Sequence, residues 1–191
     1  MNTPPPDIGL IFRALAFAAG KHRNQRRKDA EKTPYINHPA ALADVLINEG
    51  GVTDTETLCA ALLHDTIEDT PTTAEELRQQ FGETIARLVE EVSDDKTLHW
   101  RERKRLQVER APHISRQAQC IKLADKICNL RDLIAAPPAA WSTARRRAYF
   151  EWAKAVVDAI RAANPALAER FDQIYAQRLR PDLGYGQKTE D

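Results

Sequence analysis

The chain has 191 residues, enough for one domain whose core needs no disulfide or metal staple. Hydrophobic residues make up 42% and charged residues 29%, which excludes a disordered chain. Lys and Arg number 28, as do Asp and Glu, so the net charge is zero, which argues against a general nucleic-acid binder or a protein of anionic membrane surfaces.

Only seven glycines and a series of cap signals predict helices throughout. Asp7 caps a first helix that runs to about Lys21. Asp7 precedes its apolar run and Arg13 interrupts it, so the segment reads as a helix rather than a signal peptide. Residues 33–37 are at most extended. His38-Pro39 puts proline in a first helical turn, and Gly50-Gly51 ends that helix. Asp54 or Thr55 opens the next helix, which runs to about Asp69 and closes at Thr70-Pro71. Thr73-Ala-Glu-Glu76 is a capping box, and Gly82 separates its helix from one over 83–92. Further helices are expected at about 100–110, 116–135, 142–163 and 165–178, with Ser142 and Asn164-Pro165 as caps. The reading is all-α: a single bundle of about eight to ten helices over 1–183, with 184–191 a loose tail. No stretch is long enough to span a membrane.

Zero net charge conceals a segregation. Residues 21–32 carry a net charge of +4, residues 44–95 carry −12 and residues 96–147 carry +9. Blocks this lopsided fit a cation site beside an anion site, and they also fit solvated helix faces. Cys59, Cys120 and Cys128 are widely spaced and form no CxxC pair, which excludes a disulfide framework and a thiolate zinc site. They read as small buried residues in the reducing cytoplasm.

The strongest chemical signal is Leu62-Leu-His-Asp-Thr-Ile-Glu-Asp69. His64 and Glu68 are four apart, as are Asp65 and Asp69, so on a continuous helix all four project from one side of its end. Buried carboxylates in so apolar a setting are costly, and a bound cation removes that cost. Neutral imidazole and carboxylate oxygen suit zinc, manganese or iron, and the lack of cysteine ligands favours the harder of these. Pro34-Tyr-Ile-Asn-His-Pro39 puts His38 at a rigid helix entry. Asp125 sits in an otherwise apolar stretch with Asn129 four residues on, along the same face.

Taken together, His38, the His64-Asp65 doublet and Asp125 resemble the ligand pattern of HD-domain metal-dependent phosphohydrolases. The stretches 21–28, 33–39, 60–70 and 122–131 resemble the hydrolase domain of the RelA/SpoT alarmone enzymes. Stretches 89–96, 102–107 and 149–152 are most like the stand-alone metazoan SpoT homologues. The resemblance covers about residues 8–178. It implies one Mn²⁺ held by His38, His64, Asp65 and Asp125, with Glu68 and Asp69 orienting and deprotonating the attacking water. It implies contacts to a small anionic nucleotide from Arg27, Lys28, Asn129, Arg145 and Tyr149, with Lys96 and Lys122 as further candidates. Trp100 stands where the resemblance implies a polar or basic residue. The implied reaction is removal of the 3′-diphosphate of ppGpp as pyrophosphate. Removal of the 2′-phosphate of NADPH in the same site is the alternative enzyme reading. A catalytically silent alarmone-binding module is the alternative of another class, although all six metal and carboxylate residues are present. No nucleic-acid motif accompanies the basic block.

Overall fold

A computed structural model describes residues 5–179; the expected tail at 184–191 lies outside the described residues. The described chain is all-α. Its helices are α1 (Ile8–Lys21), α2 (Asn37–Asp44), α3 (Thr55–Leu63), α4 (Thr66–Asp69), α5 (Ala74–Phe81), α6 (Glu83–Val92), α7 (Trp100–Arg110), α8 (Arg116–Ala135), α9 (Thr143–Ile160) and α10 (Pro165–Ala176). Among the described residues the one extended pairing is an isolated antiparallel bridge between Arg26 and Pro34. The expectation for 33–37 is therefore met only in part.

Local capping chemistry explains most of the helix starts. Asp7, Asp54, Thr73, Ser142 and Asn164 each accept a hydrogen bond from a backbone N–H in the first turn of the helix they precede. The capping box at Thr73 forms only one of its two expected limbs. Thr73 Oγ1 accepts from the Glu76 N–H at 3.1 Å, but the Glu76 carboxylate turns to Lys21 Nζ, 2.7 Å away. Gly82 joins α5 to α6 at φ +87°, a backbone setting that disfavours any side chain.

Two helices form the centre. α3 is buried over its whole circumference from Thr57 to Leu63, as its run Leu58-Cys-Ala-Ala-Leu-Leu63 requires. It packs against α1, α2, α6 and α8, while α8 packs in turn against α2, α6, α9 and α10. The C-terminal end of α3, the first turn of α2 and the middle of α8 therefore converge, and they carry His64, His38 and Asp125.

The structure corrects one element of consequence. The helix expected to run unbroken from 54 to about 69 is interrupted at His64–Asp65, between α3 and α4. Side chains cause the break. His64 Nδ1 donates to the Ala61 carbonyl at 2.8 Å, and Thr66 Oγ1 donates to the Leu63 carbonyl at 2.7 Å. Both carbonyls would otherwise accept from the backbone of a continuing helix. The four polar residues thus do not share one helical face: His64 and Asp65 occupy the junction, and Glu68 and Asp69 the single turn after it.

Candidate active site

The site begins at this junction. His64 Nδ1 is committed to Ala61, so in the neutral ring the proton sits on Nδ1 and the Nε2 lone pair is available. Nε2 is buried without a hydrogen-bond partner, although Asp65 Oδ2 lies 2.8 Å away. Across the cluster, His38 Nε2 is 3.2 Å from Asp125 Oδ1. Donor atoms of His38, His64 and Asp65 all lie within 4.8 Å of one another. Ligands about 2.1 Å from one ion and at right angles to each other stand roughly 3 Å apart. These separations and the orphaned imidazole nitrogen fit a divalent cation held by His38, His64 and Asp65, with Asp125 against His38 as the fourth side.

Electrostatics tie the four together. Burial disfavours the charged His64 ring, but the Asp65 and Asp125 carboxylates outweigh it and raise its pKa to about 9. Burial likewise opposes ionisation of Asp65 and Asp125. His64 and His38 hold Asp65 well below the usual carboxylate range, and Lys126 and His38 do so for Asp125. Proton and metal ion therefore compete for His64.

Several groups orient these residues. The Tyr35 hydroxyl donates to Asp65 Oδ2. Asn129 Nδ2 donates to Asp125 Oδ1 at 2.6 Å, and Lys126 Nζ donates to Oδ2 at 2.8 Å. Glu68 and Asp69 stand alongside. Glu68 Oε2 accepts from the Asp94 N–H at 3.2 Å, and its Oε1 lies 3.3 Å from the Arg103 guanidinium. Burial, then the charges of Asp94 and Asp65, push the Glu68 pKa up to about 7. Asp69 accepts from Gln25 Nε2 at 2.9 Å and pairs with Lys96.

A cleft of about 390 Å³ opens beside this centre. Arg27, Lys28, Asp69, Asn129 and Tyr149 line it, and Leu133, Pro138 and Trp141 give it an apolar wall. Backbone hydrogen bonds across the Arg26–Pro34 bridge pin the basic loop here: Arg27 N–H to the Thr33 carbonyl and Tyr35 N–H to that of Gln25. Arg27 reaches Asn129 Oδ1 at 3.3 Å and is paired with Asp132. Arg145 does not line the cleft. It is exposed on the rim, its guanidinium 4.4 Å from the centre of the Trp141 ring. Lys122 is turned elsewhere: it is buried, donates to the Val92 carbonyl at 3.1 Å and lines a separate hollow of about 250 Å³. Trp100 is half-exposed under Arg101 and Lys104.

The motif reading missed five neighbours that matter here: Tyr35, Gln25, Arg103, Lys126 and Asp132. Four lie inside stretches already singled out, and Asp132 follows directly on another. What pointed past them was the absence of a spacing rule, because each acts across the fold.

The HD-domain family model matches residues 14–154. The chain belongs to the HD-domain family. Among its relatives, the human guanosine-3′,5′-bis(diphosphate) 3′-pyrophosphohydrolase MESH1 is 55% identical over 90% of this chain and 96% of its own. The Escherichia coli bifunctional (p)ppGpp synthase/hydrolase SpoT is 41% identical over 68% of this chain and 19% of its own. A solved structure described as a metazoan ortholog of SpoT that hydrolyzes ppGpp superposes with a TM-score of 0.87 at 47% identity, covering 93% of this chain and 98% of that one. Among the described residues no helix of this HD-domain chain is long and apolar enough to cross a membrane.

Proposed function

We propose that this chain is a manganese-dependent ppGpp 3′-pyrophosphohydrolase. The observation that carries the reading is the convergence of His38, His64, Asp65 and Asp125 beside the Glu68–Asp69 pair, at the edge of a cationic cleft of about 390 Å³. The names of the relatives support the choice of substrate.

When bound, Mn²⁺ would polarise a phosphoryl oxygen and acidify a water. The chain does the rest. Glu68, with its pKa near 7, accepts a proton from the attacking water at neutral pH. Asp69, anchored by Gln25 and Lys96, orients that water. The new bond joins water oxygen to the phosphorus on the 3′ oxygen. The bond from that phosphorus to the 3′ oxygen breaks, and the 3′ oxygen regains a proton, giving GDP and pyrophosphate. Arg27 and Lys28 take substrate phosphates, Asn129 a polar edge of the nucleotide, and Tyr149 and Trp141 pack on its flat faces. Arg145 closes the rim. Buried free thiols at Cys59, Cys120 and Cys128 suit the cytoplasm.

The test is a product assay on purified protein stripped of metal and resupplied with Mn²⁺, offered ppGpp and NADPH in parallel. The expected result is Mn²⁺-dependent pyrophosphate release from ppGpp, lost in Asp65→Ala. Phosphate release from NADPH with no turnover of ppGpp, tight ppGpp binding without turnover, or activity that survives chelation would each overturn the reading.

A further inference from the structure

One cation at the cleft has no use in the scheme above. Lys104 on α7 is half-buried and, among the described residues, has no carboxylate partner. Its Nζ lies instead among rings, 4.6 Å from the centre of Trp152, 5.1 Å from Tyr149 and 5.9 Å from Trp100. The Trp152 indole N–H donates to the Lys104 carbonyl at 3.0 Å, which locks the ring onto α7.

The other charges near it are positive. Lys126 Nζ sits 4.4 Å from the same Trp152 ring and donates to Asp125. Arg145 lies on Trp141, next to Tyr149 at a ring separation of 5.6 Å. Burial, then Lys126 and Arg145, depress the Lys104 pKa. Ring faces attract an ammonium, but they do not neutralise it. Three cations around Tyr149, only Lys126 of them held by a carboxylate, leave a deficit of negative charge between the metal-ligand cluster and the cleft mouth.

We propose that Lys104, with Arg145 beside it, forms a phosphate-binding subsite on the α7 side of the cleft. The subsite takes a phosphate group, carried either by the nucleotide substrate or by free pyrophosphate. Its aromatic walls, Tyr149, Trp152 and Trp100, keep water from the ammonium and strengthen its pull on an anion. Arg27 and Lys28 serve the opposite wall, so a substrate with phosphates at both ends of its ribose is gripped from two sides. The assignment rests on the reading of the cleft as a phosphate-ester site, and its test does not need turnover.

The experiment titrates metal-free full-length protein with inorganic pyrophosphate, read by tryptophan fluorescence and by calorimetry. Wild type, Lys104→Met and Lys104→Arg are compared after their melting temperatures have been matched. Lys104→Met keeps most of the stem and removes the charge, so affinity should fall about tenfold or more, the scale of one charge-assisted hydrogen bond. Lys104→Arg should stay within about threefold of wild type. Equal affinity in wild type and Lys104→Met would overturn the proposal. Equal loss in both variants would also overturn it, because packing rather than charge would then be responsible. A second arm measures KM and kcat for ppGpp. A raised KM with kept kcat in Lys104→Met assigns the subsite to the substrate, and weaker pyrophosphate binding with unchanged KM assigns it to the free anion. If ppGpp is not turned over at all, the proposed activity falls, and the pyrophosphate titration still decides the subsite.

Discussion

Glu68→Gln should make the metal-free protein more stable and the enzyme inactive. The Glu68 carboxyl is lifted from 4.5 to about 7 by burial and by the charges of Asp94 and Asp65. A carboxyl with a raised pKa binds its proton more tightly in the folded state than in the unfolded chain. Its contribution is therefore neutral below pH 4.5 and increasingly destabilising as pH rises towards 7. At about 1.36 kcal/mol per pKa unit, the penalty reaches about 3 kcal/mol above pH 7. Its side chain is 19% exposed, so solvent screening removes little of this. Glutamine keeps the shape and the acceptor for the Asp94 N–H but carries no charge. Urea unfolding of metal-free wild type and variant should give equal stabilities near pH 5, with the variant ahead by about 3 kcal/mol at pH 8. Because all other titrating groups are shared, the difference isolates Glu68. With Mn²⁺ restored, kcat should fall by about 10²–10⁴-fold as the base is lost. A stability gap independent of pH, or a wild type more stable than the variant at pH 8, would refute the account of Glu68 as a carboxyl held near neutrality by its surroundings.

Tyr35→Phe should weaken Mn²⁺ binding by about 10–100-fold in a chelator competition, because it removes a donor that orients Asp65 but keeps the ring that packs on His22 and His38; unchanged affinity would show that the hydroxyl orients nothing. Phe171→Ala, at a fully buried position on α10, should cost about 3–5 kcal/mol in denaturant unfolding, and a loss under about 1 kcal/mol would mean that the core there can collapse around the gap.

Helix starts were legible because they are short-range. Asp54, Ser142 and Asn164 cap through a side chain and a backbone N–H three residues away, a relation written in the local sequence. α6 and α8 run over the expected 83–92 and 116–135 for the same reason: their ends coincide with a glycine, a serine cap or the Pro137-Pro138 stop. The ligand set was legible because His38, His64, Asp65 and Asp125 are rare residue types in apolar surroundings. Other features depended on distance in the fold. Glu76 completes a capping box by pattern, yet its carboxylate goes to Lys21, fifty-five residues away. Arg27 reads as a free phosphate ligand, yet it is tied to Asp132, 105 residues on.

By itself the sequence determined that this protein is helical, where most helices begin and which side chains are candidates to hold a cation. Those properties follow from residue type and from neighbours within one turn. The tertiary structure decided the rest. It broke the central helix at His64–Asp65 by giving the Ala61 and Leu63 carbonyls to side chains. It buried Glu68 beside Asp94 and so moved its titration to neutrality. It also sorted the cations of a neutral chain into those answered by a carboxylate and those, like Lys104, that are not. Hydrogen-bond competition, desolvation and charge pairing act between groups brought within a few ångströms by folding, and for most of these pairs the spacing along the chain carries no record of that approach.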